Sequence, residues 1–132
     1  MKQFLLNLFS LNIMLPFKIH SPETEVTLPL WEKKHIKVTL KRDDLIHPFI
    51  SGNKWRKLKH QLEQKNHIVT FGGAWSNHLL ATACAGATFR FKTTAFVRGD
   101  EQANNPVLTM CQLFGMQLIY VDRDSYRNKE EL

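Results

Sequence analysis

The sequence has few of the residues that mark several common protein classes. Only two cysteines, Cys84 and Cys111, occur among 132 residues, and no CxxC or Cys/His spacing accompanies them, so neither a disulfide framework nor a metal site is predicted. Six glycines and five prolines are too few for a collagen-like or linker-dominated chain. Both cysteines lie in apolar, helix-like stretches, which favours buried thiols and a cytoplasmic, reducing compartment.

What the chain does contain indicates one folded, basic domain. Hydrophobic residues make up 43% of the sequence, and nine Phe, three Trp and two Tyr provide material for a core. Eighteen Lys and Arg against twelve Asp and Glu give a formal charge of +6. Basic clusters at 33–37 and 54–60 raise nucleic-acid binding as an alternative. No base-reading motif or aromatic stacking platform accompanies them, so a solvated basic face and no nucleic-acid partner are predicted.

The first residues are treated separately from the domain. An apolar run from Phe4 to Phe17 follows Lys2, which is the outline of a signal peptide, but asparagines interrupt it and no A-x-A cleavage site follows. The run is too short to span a membrane. We interpret residues 1–13 as a disordered or upstream extension, with Met14 as the true start and 14–132 as the domain.

After Pro29 the chain alternates between strand-like and helix-like segments. Strands are predicted at 35–41, 67–71, 92–97 and 117–121, and helices beginning near Gly52, Ser76 and Asn104 or Asn105. This β-α-β-α-β-α-β order predicts an α/β fold with a parallel sheet and helical crossovers. Ligands are then expected at the loops 42–53, 72–76 and 98–105. The tail from Asp122 to Leu132 is polar and is expected to fray.

Lys54 is an unusual residue in its position at the start of a helix. Helix N-termini disfavour cations, and Arg42, Arg56 and Lys57 are close in sequence. Both effects favour the neutral amine, which is a nucleophile able to form a Schiff base with an aldehyde. An ordinary exposed lysine in a run of charges is the alternative, and local sequence alone favours it.

The segment 70–78 combines a strand, a glycine turn and a helix start. Glycines allow a ligand to approach the backbone closely, and the N–H groups of the next turn can receive an anion. We expect Ser76, Asn77 and His78 to stand together at the mouth of a site. The motif is neither GxGxxG nor a Walker A loop, so nucleotide binding is poorly supported. The alternatives are that Ser76 is only a helix cap and that His78 is a hydrogen-bonded structural histidine.

Three segments in register resemble one enzyme family. The segments 40–45 (LKRDDL), 51–58 (SGNKWRKL) and 72–78 (GGAWSNH) resemble 1-aminocyclopropane-1-carboxylate deaminases and D-cysteine desulfhydrases. These are pyridoxal-phosphate enzymes of the tryptophan-synthase-β type. The segment 97–101 (VRGDE) continues the likeness. The resemblance implies a deaminase or desulfhydrase that converts a small amino acid to a 2-oxo acid and ammonia, and a homodimer for the complete protein.

The same resemblance implies roles for individual residues. Lys54 would carry pyridoxal 5'-phosphate through a Schiff base, and Asn77 would hydrogen-bond the 3'-hydroxyl of its ring. Ser76 would contact the substrate and assist catalysis, while Asn53 and His78 would complete the cofactor-binding set. His78 stands where the deaminase branch often has Gln, which favours a desulfhydrase-like substrate.

The chain also departs from the family in length. Family members are more than twice as long, and their glycine-rich phosphate loop and the residue facing the pyridine nitrogen come later in the sequence. We therefore expect an incomplete fold, an exposed edge on the strand at 117–121, and no activity from the 132 residues alone. The competing hypothesis is a non-catalytic remnant that binds a partner or a small anion.

Overall fold

A computed structural model describes residues 16–62, 66–100 and 104–128 of the chain. The proposed extension, residues 1–13, lies outside the described residues. The secondary structure is, in chain order, β1 (Glu23–Val26), α1 (Pro29–Lys33), β2 (Val38–Lys41), a 3-10 turn (Asp43–Leu45), α2 (Gly52–Leu58), β3 (His67–Gly73), α3 (Asn77–Phe89), β4 (Lys92–Arg98), α4 (Pro106–Leu113), β5 (Gln117–Val121) and α5 (Arg123–Arg127).

The main sheet is parallel and has three strands in the order β3-β4-β5. His67 pairs with Lys92 at one end of the first ladder, and Thr94 pairs with Gln117 in the second. Helix α3 connects β3 to β4, and α4 connects β4 to β5. The prediction of an α/β fold with a parallel sheet and helical crossovers is therefore confirmed. Among the described strands, β5 lies at one edge of this sheet, as expected.

The first predicted strand does not join the parallel sheet. It is shorter than predicted, Val38–Lys41 rather than 35–41, and pairs antiparallel with β1, which the sequence analysis missed. The physical reason is that strands buried in a parallel sheet are apolar on both faces. This strand instead alternates polar and apolar residues, which suits a strand with one face in solvent. Three of its four residues are exposed. The loop 42–53 therefore follows a separate two-stranded sheet.

Helix α3 separates two hydrophobic clusters and belongs to both. On one side Ala81, Cys84 and Ala85 pack with Trp55 and Leu58 of α2. On the other side Leu79 and Ala83 pack with residues of β4 and α4, namely Ala95, Val97, Leu108 and Cys111. Small side chains on two faces allow a helix to be covered from both sides. Both cysteines are buried thiols, as predicted.

The ends of the helices follow the predicted signals with two exceptions. Asn105 caps α4, since its side-chain oxygen accepts hydrogen bonds from the backbone N–H of Val107 and of Leu108. Ser76 occupies the cap position of α3, but its side chain makes no capping hydrogen bond. The expectation that the tail frays from residue 122 is wrong for its first part, because Asp122 caps the short helix α5. Tyr126 of that helix packs edge-on against Phe71.

Gly86 is predicted to be intolerant of even one added methyl group. A Cβ atom at this position would lie 2.6 Å from Cγ2 of Thr93 and 2.9 Å from the backbone oxygen of Phe91. The Gly86→Ala variant should lose about 1–3 kcal/mol of unfolding free energy, the usual cost of overpacking. Urea denaturation measures this. The matched control is Ala87→Ser at the exposed neighbour, which should stay within about 0.5 kcal/mol of the parent; equal effects would contradict the packing argument.

Candidate active site

Lys54 lies in the first turn of α2 and is half-buried. Its Nζ donates a hydrogen bond to Oδ1 of Asn53 at 3.0 Å. The backbone reaches this turn through Gly52, whose φ of +56° is a conformation that other residues adopt only with strain. The amine is thus held at the start of a helix by its own neighbour in sequence, as the sequence analysis predicted for its position.

An ion pair fixes α2 against the 3-10 turn that precedes it. Arg56 donates from Nε and Nη2 to the two carboxylate oxygens of Asp43, each at 2.9 Å. Ser21 donates its hydroxyl to the same carboxylate. These hydrogen bonds, from Arg56 first and then Ser21, lower the pKa of Asp43 to about 2. Arg42 pairs in the same way with Asp44, so two of the cations expected to crowd Lys54 are matched to carboxylates.

His47 organises the loop between these elements, and sequence analysis missed it. Its Nδ1 accepts hydrogen bonds from the backbone N–H of Phe49 at 3.2 Å and of Ile50 at 3.1 Å. The ring also packs against Phe17, with centroids 4.8 Å apart. Burial lowers the pKa of His47, which keeps the ring neutral and Nδ1 available as an acceptor. The sequence signal that could have pointed to His47 is a histidine followed directly by a proline in a predicted loop.

The turn between β3 and α3 is as tight as its glycines suggested. The N–H of Ser76 donates to the carbonyl of Gly73 at 3.0 Å. Gly72 is required by close packing, because a Cβ there would lie 2.8 Å from Cγ of Leu79. Helix α3 therefore begins directly against the end of β3, and Ser76, Asn77 and His78 follow one another at that point.

The structure places these three side chains at different cavities. Asn77 lines a cavity of about 350 Å³ together with Lys54, Asn53, Gly52 and Ser51. His78 lines a second cavity, also about 350 Å³, with Lys54 and Lys57. Ser76 lines a third, larger cavity without Lys54. The three side chains therefore do not line a single cavity, although Lys54 meets Asn53 and Asn77 at one cavity and His78 at another.

His78 is held by a neighbouring strand. Its Nε2 lies 2.9 Å from Oγ1 of Thr70 in β3, within hydrogen-bond distance. Burial lowers the pKa of His78, and the charges of Lys54 and Lys57 lower it further. A neutral imidazole is therefore favoured at physiological pH. This geometry matches the alternative raised from the sequence, namely that His78 is a hydrogen-bonded structural histidine.

The cavity shared by Lys54 and Asn77 fits the aldehyde end of pyridoxal phosphate. It offers a half-buried primary amine, held by Asn53, and the side-chain amide of Asn77 on the opposing helix. An amine can condense with the aldehyde, and an amide can hydrogen-bond the ring hydroxyl. Its volume of about 350 Å³ is at the small end of the range for ligand sites.

Comparison with known proteins identifies the fold. At the level of fold, the chain is similar to a crystal structure of a 1-aminocyclopropane-1-carboxylate deaminase homologue, with a TM-score of 0.64, 25% identity, and coverage of 90% of this chain and 37% of that one. A crystal structure of O-ureido-L-serine synthase matches with a TM-score of 0.53, 16% identity, and coverage of 84% and 35%. The fold is thus that of the tryptophan-synthase-β class of pyridoxal-phosphate enzymes.

Sequence relatives narrow the class to a family. The chain is 33% identical over 108 residues to a Thermotoga maritima protein named as a 1-aminocyclopropane-1-carboxylate deaminase, covering 78% of this chain and 35% of the relative. It is 31% identical over 96 residues to an Oryza sativa protein named as a D-cysteine desulfhydrase, covering 69% and 24%. The chain is a relative of the 1-aminocyclopropane-1-carboxylate deaminase and D-cysteine desulfhydrase family, and the resemblance seen in the sequence is confirmed.

Two further findings qualify the comparison. The chain spans about a third or less of the length of these curated relatives, 35% of one and 24% of the other. No family model matches the sequence.

Among the residues that the structure describes, no helix is both long and apolar enough to cross a bilayer.

The Asp43–Arg56 pair should make the chain sensitive to acid. Asp43 has a pKa of about 2 in the folded chain against its ordinary 3.8, so the unfolded state binds the proton more readily. The pair's stabilisation is then complete above about pH 4 and is lost as pH falls toward 2. The Asp43→Asn variant should lose about 1 kcal/mol of unfolding free energy at pH 7. Its unfolding free energy should also change less than that of the parent chain as the pH falls from about 4 toward 2. Urea denaturation at several pH values measures both.

The control for this prediction is Asp44→Asn. Asp44 also pairs with an arginine, but its side chain is 60% exposed against 23% for Asp43. Exposed ion pairs contribute little to stability. If Asp44→Asn were as costly as Asp43→Asn, the role assigned to the Asp43–Arg56 pair would be wrong.

Loss of the His47 acceptor should destabilise the loop before Lys54. His47→Ala leaves the N–H groups of Phe49 and of the fully buried Ile50 without their acceptor, which should cost about 1–3 kcal/mol. His47→Asn offers a carbonyl oxygen near the Nδ1 position and should retain more stability. Because the pKa of His47 is lowered from 6.5 in the folded state, its contribution should decline as pH falls below that value. If the difference in unfolding free energy between the wild-type chain and the His47→Asn variant did not change with pH, this assignment would be wrong.

Proposed function

We propose that this chain forms the lysine-bearing part of a pyridoxal-phosphate-dependent deaminase or desulfhydrase. The observation that carries the proposal is the half-buried amine of Lys54, fixed by Asn53 on the wall of the cavity that Asn77 also lines. The family relationship supports the same reading. The proposed substrate is a small amino acid of the D-cysteine or 1-aminocyclopropane-1-carboxylate type, and the reaction is proposed for the cytoplasm.

The proposed reaction removes nitrogen from the substrate. D-cysteine and water would give pyruvate, ammonia and hydrogen sulfide, whereas 1-aminocyclopropane-1-carboxylate and water would give 2-oxobutyrate and ammonia. Bound pyridoxal phosphate supplies the electron sink that makes loss of a proton or opening of a ring feasible. The rest of the chemistry needs groups that accept, hold and return protons near that sink.

Each residue of the site has a role that its position supports. Lys54 would bind the cofactor's aldehyde through Nζ and, once displaced by the substrate amine, move protons. Asn53 holds Nζ toward the cavity, and Asn77 would hydrogen-bond the ring hydroxyl. Ser76, whose hydroxyl makes no capping bond, would contact the substrate. His78, hydrogen-bonded to Thr70, would line the cofactor site as a neutral group.

The phosphate of the cofactor requires further anchoring. A dianion is typically held by several backbone N–H groups at a glycine-rich loop and helix start, and the family resemblance places that loop later in the sequence. We therefore propose that the 132 residues alone react with the aldehyde at Lys54 but do not turn over substrate, and that the complete enzyme is a homodimer.

Reductive labelling tests the assignment of Lys54. The 132-residue chain is incubated with pyridoxal phosphate, reduced with borohydride and digested, and mass spectrometry locates the pyridoxyl groups. Lys54 should be labelled first as the aldehyde is raised from low concentration, because Asn53 and the cavity orient its amine. Lys54→Arg should remove this early label.

The matched control is Lys33→Arg, which alters an exposed lysine on α1. This variant should keep the label at Lys54. Labelling spread evenly over the lysines, or an early label that survives in Lys54→Arg, would overturn the assignment.

A further inference from the structure

One short segment supplies most of the lining of the cavity that Lys54 and Asn77 share. Within the segment 48–53, the residues that line this cavity are Pro48, Phe49, Ser51, Gly52 and Asn53. The same segment leads directly into the turn of Lys54, whose backbone N–H donates to the carbonyl of Ser51 at 3.1 Å. The shape of the cavity and the position of the lysine therefore depend on how the segment 48–53 is held.

Apolar packing and one polar contact hold this segment together. Ile46 and Ile50 are buried in the hydrophobic cluster that also contains Trp55. Between them, Nδ1 of His47 accepts the backbone N–H groups of Phe49 and Ile50. The imidazole thus fixes the backbone on both sides of the peptide that joins Phe49, which lines the cavity, to the buried Ile50.

The contact made by His47 exists only while its ring is neutral. Asparagine and aspartate are the residues that commonly accept N–H groups a few positions ahead of them in a turn, and their acceptor oxygens stay available at neutral pH. A proton on Nδ1 of a histidine removes the acceptor and sets a third N–H against the two N–H groups of the segment. A histidine in this role makes the contact sensitive to pH.

The surroundings of the ring are apolar. Phe17 and Phe49 lie beside it, with ring centroids 4.8 Å and 6.3 Å away. The charged side chains of the preceding turn and of the start of α2 have their own partners, namely Asp43 with Arg56, Asp44 with Arg42 and Lys54 with Asn53. Burial, rather than a neighbouring charge, lowers the pKa of His47 and keeps the ring neutral at pH 7.

We propose that His47 is a positioning residue for Lys54 and makes capture of the cofactor's aldehyde depend on pH. While the ring is neutral, the segment 48–53 is held and the amine meets the aldehyde in a formed cavity. Once Nδ1 carries a proton, the segment is released and the cavity loses its shape. His47 is not a lining residue of this cavity, so it acts through the segment. The inference rests on the proposed function, because it concerns the same amine.

Two variants separate the acceptor of His47 from its ring and from its titration. His47→Asn supplies an acceptor that does not titrate, whereas His47→Phe keeps a ring beside Phe17 but has no acceptor. Each 132-residue chain is labelled with a low concentration of pyridoxal phosphate and cyanoborohydride from about pH 5 to about pH 8. The label at Lys54 is divided by the label at the exposed Lys33, which removes the effect of amine protonation common to both lysines.

The parent chain and the variants should differ in how this ratio depends on pH. In the parent chain the ratio should fall about fivefold or more as the pH drops below the pKa of His47, because two hydrogen bonds are lost. In His47→Asn it should vary less than about twofold over the same range, and in His47→Phe it should be low throughout. Equal pH profiles in the parent chain and His47→Asn, or a normal ratio in His47→Phe, would overturn the proposal.

A reciprocal measurement decides the matter even if His47→Phe does not fold. If labelling requires the neutral ring, a label at Lys54 must in turn favour that ring. The parent chain is labelled with pyridoxal, which lacks the phosphate and so adds no negative charge that would raise the pKa of His47. NMR titration should then give a pKa of His47 lower by about half a pH unit or more. Lys54→Arg treated in the same way should show no change; an unchanged pKa in the labelled parent chain would contradict the coupling.

The proposed function and this inference fail in different ways. A parent chain without label at Lys54 at any pH contradicts the proposed function and, with it, the role of His47. A parent chain labelled at Lys54 with a ratio that responds neither to pH nor to the two variants leaves the proposed function intact. That second result would show that His47 contributes to stability alone.

Discussion

The close approach of α3 to the parallel sheet is the constraint on which the rest of the structure depends. Gly72 and Gly86 lie where a Cβ atom would collide with Leu79 or Thr93, and alanines cover much of the helix between them. Because both faces of α3 are buried, α2 can pack on one side and α4 on the other. The start of α3 is thereby fixed at the end of β3, and every cavity described above has a wall at that point.

A second constraint positions the reactive lysine relative to this helix. Hydrophobic contacts of Trp55 and Leu58 place α2 on α3, but such contacts are non-directional and do not fix how a short helix is rotated or where its first turn begins. The bidentate Asp43–Arg56 pair and the His47 hydrogen bonds are directional. Apolar packing therefore explains where α2 lies, and polar contacts explain where Lys54 points.

The comparison of sequence and structure shows which information is local. The strand at 117–121 was predicted with the same ends that the structure has, and Asn105 was among the predicted caps, because period, turn residues and capping depend on near neighbours. The partner of the strand at 38–41 depends on a distant segment, β1, and was missed. The role of His47 was missed for a related reason, since an imidazole nitrogen that accepts backbone N–H groups has no characteristic spacing.

The separation of Ser76, Asn77 and His78 could have been anticipated from helix geometry. Successive residues of a helix differ by about 100° in direction, so Asn77 and His78 do not face one point, and Ser76 precedes them in extended backbone. Asn77 lines the Lys54 cavity, His78 lies within hydrogen-bond distance of Thr70, and Ser76 lines the larger cavity at the carboxyl ends of the parallel strands. One helix start thus contributes side chains to three separate cavities.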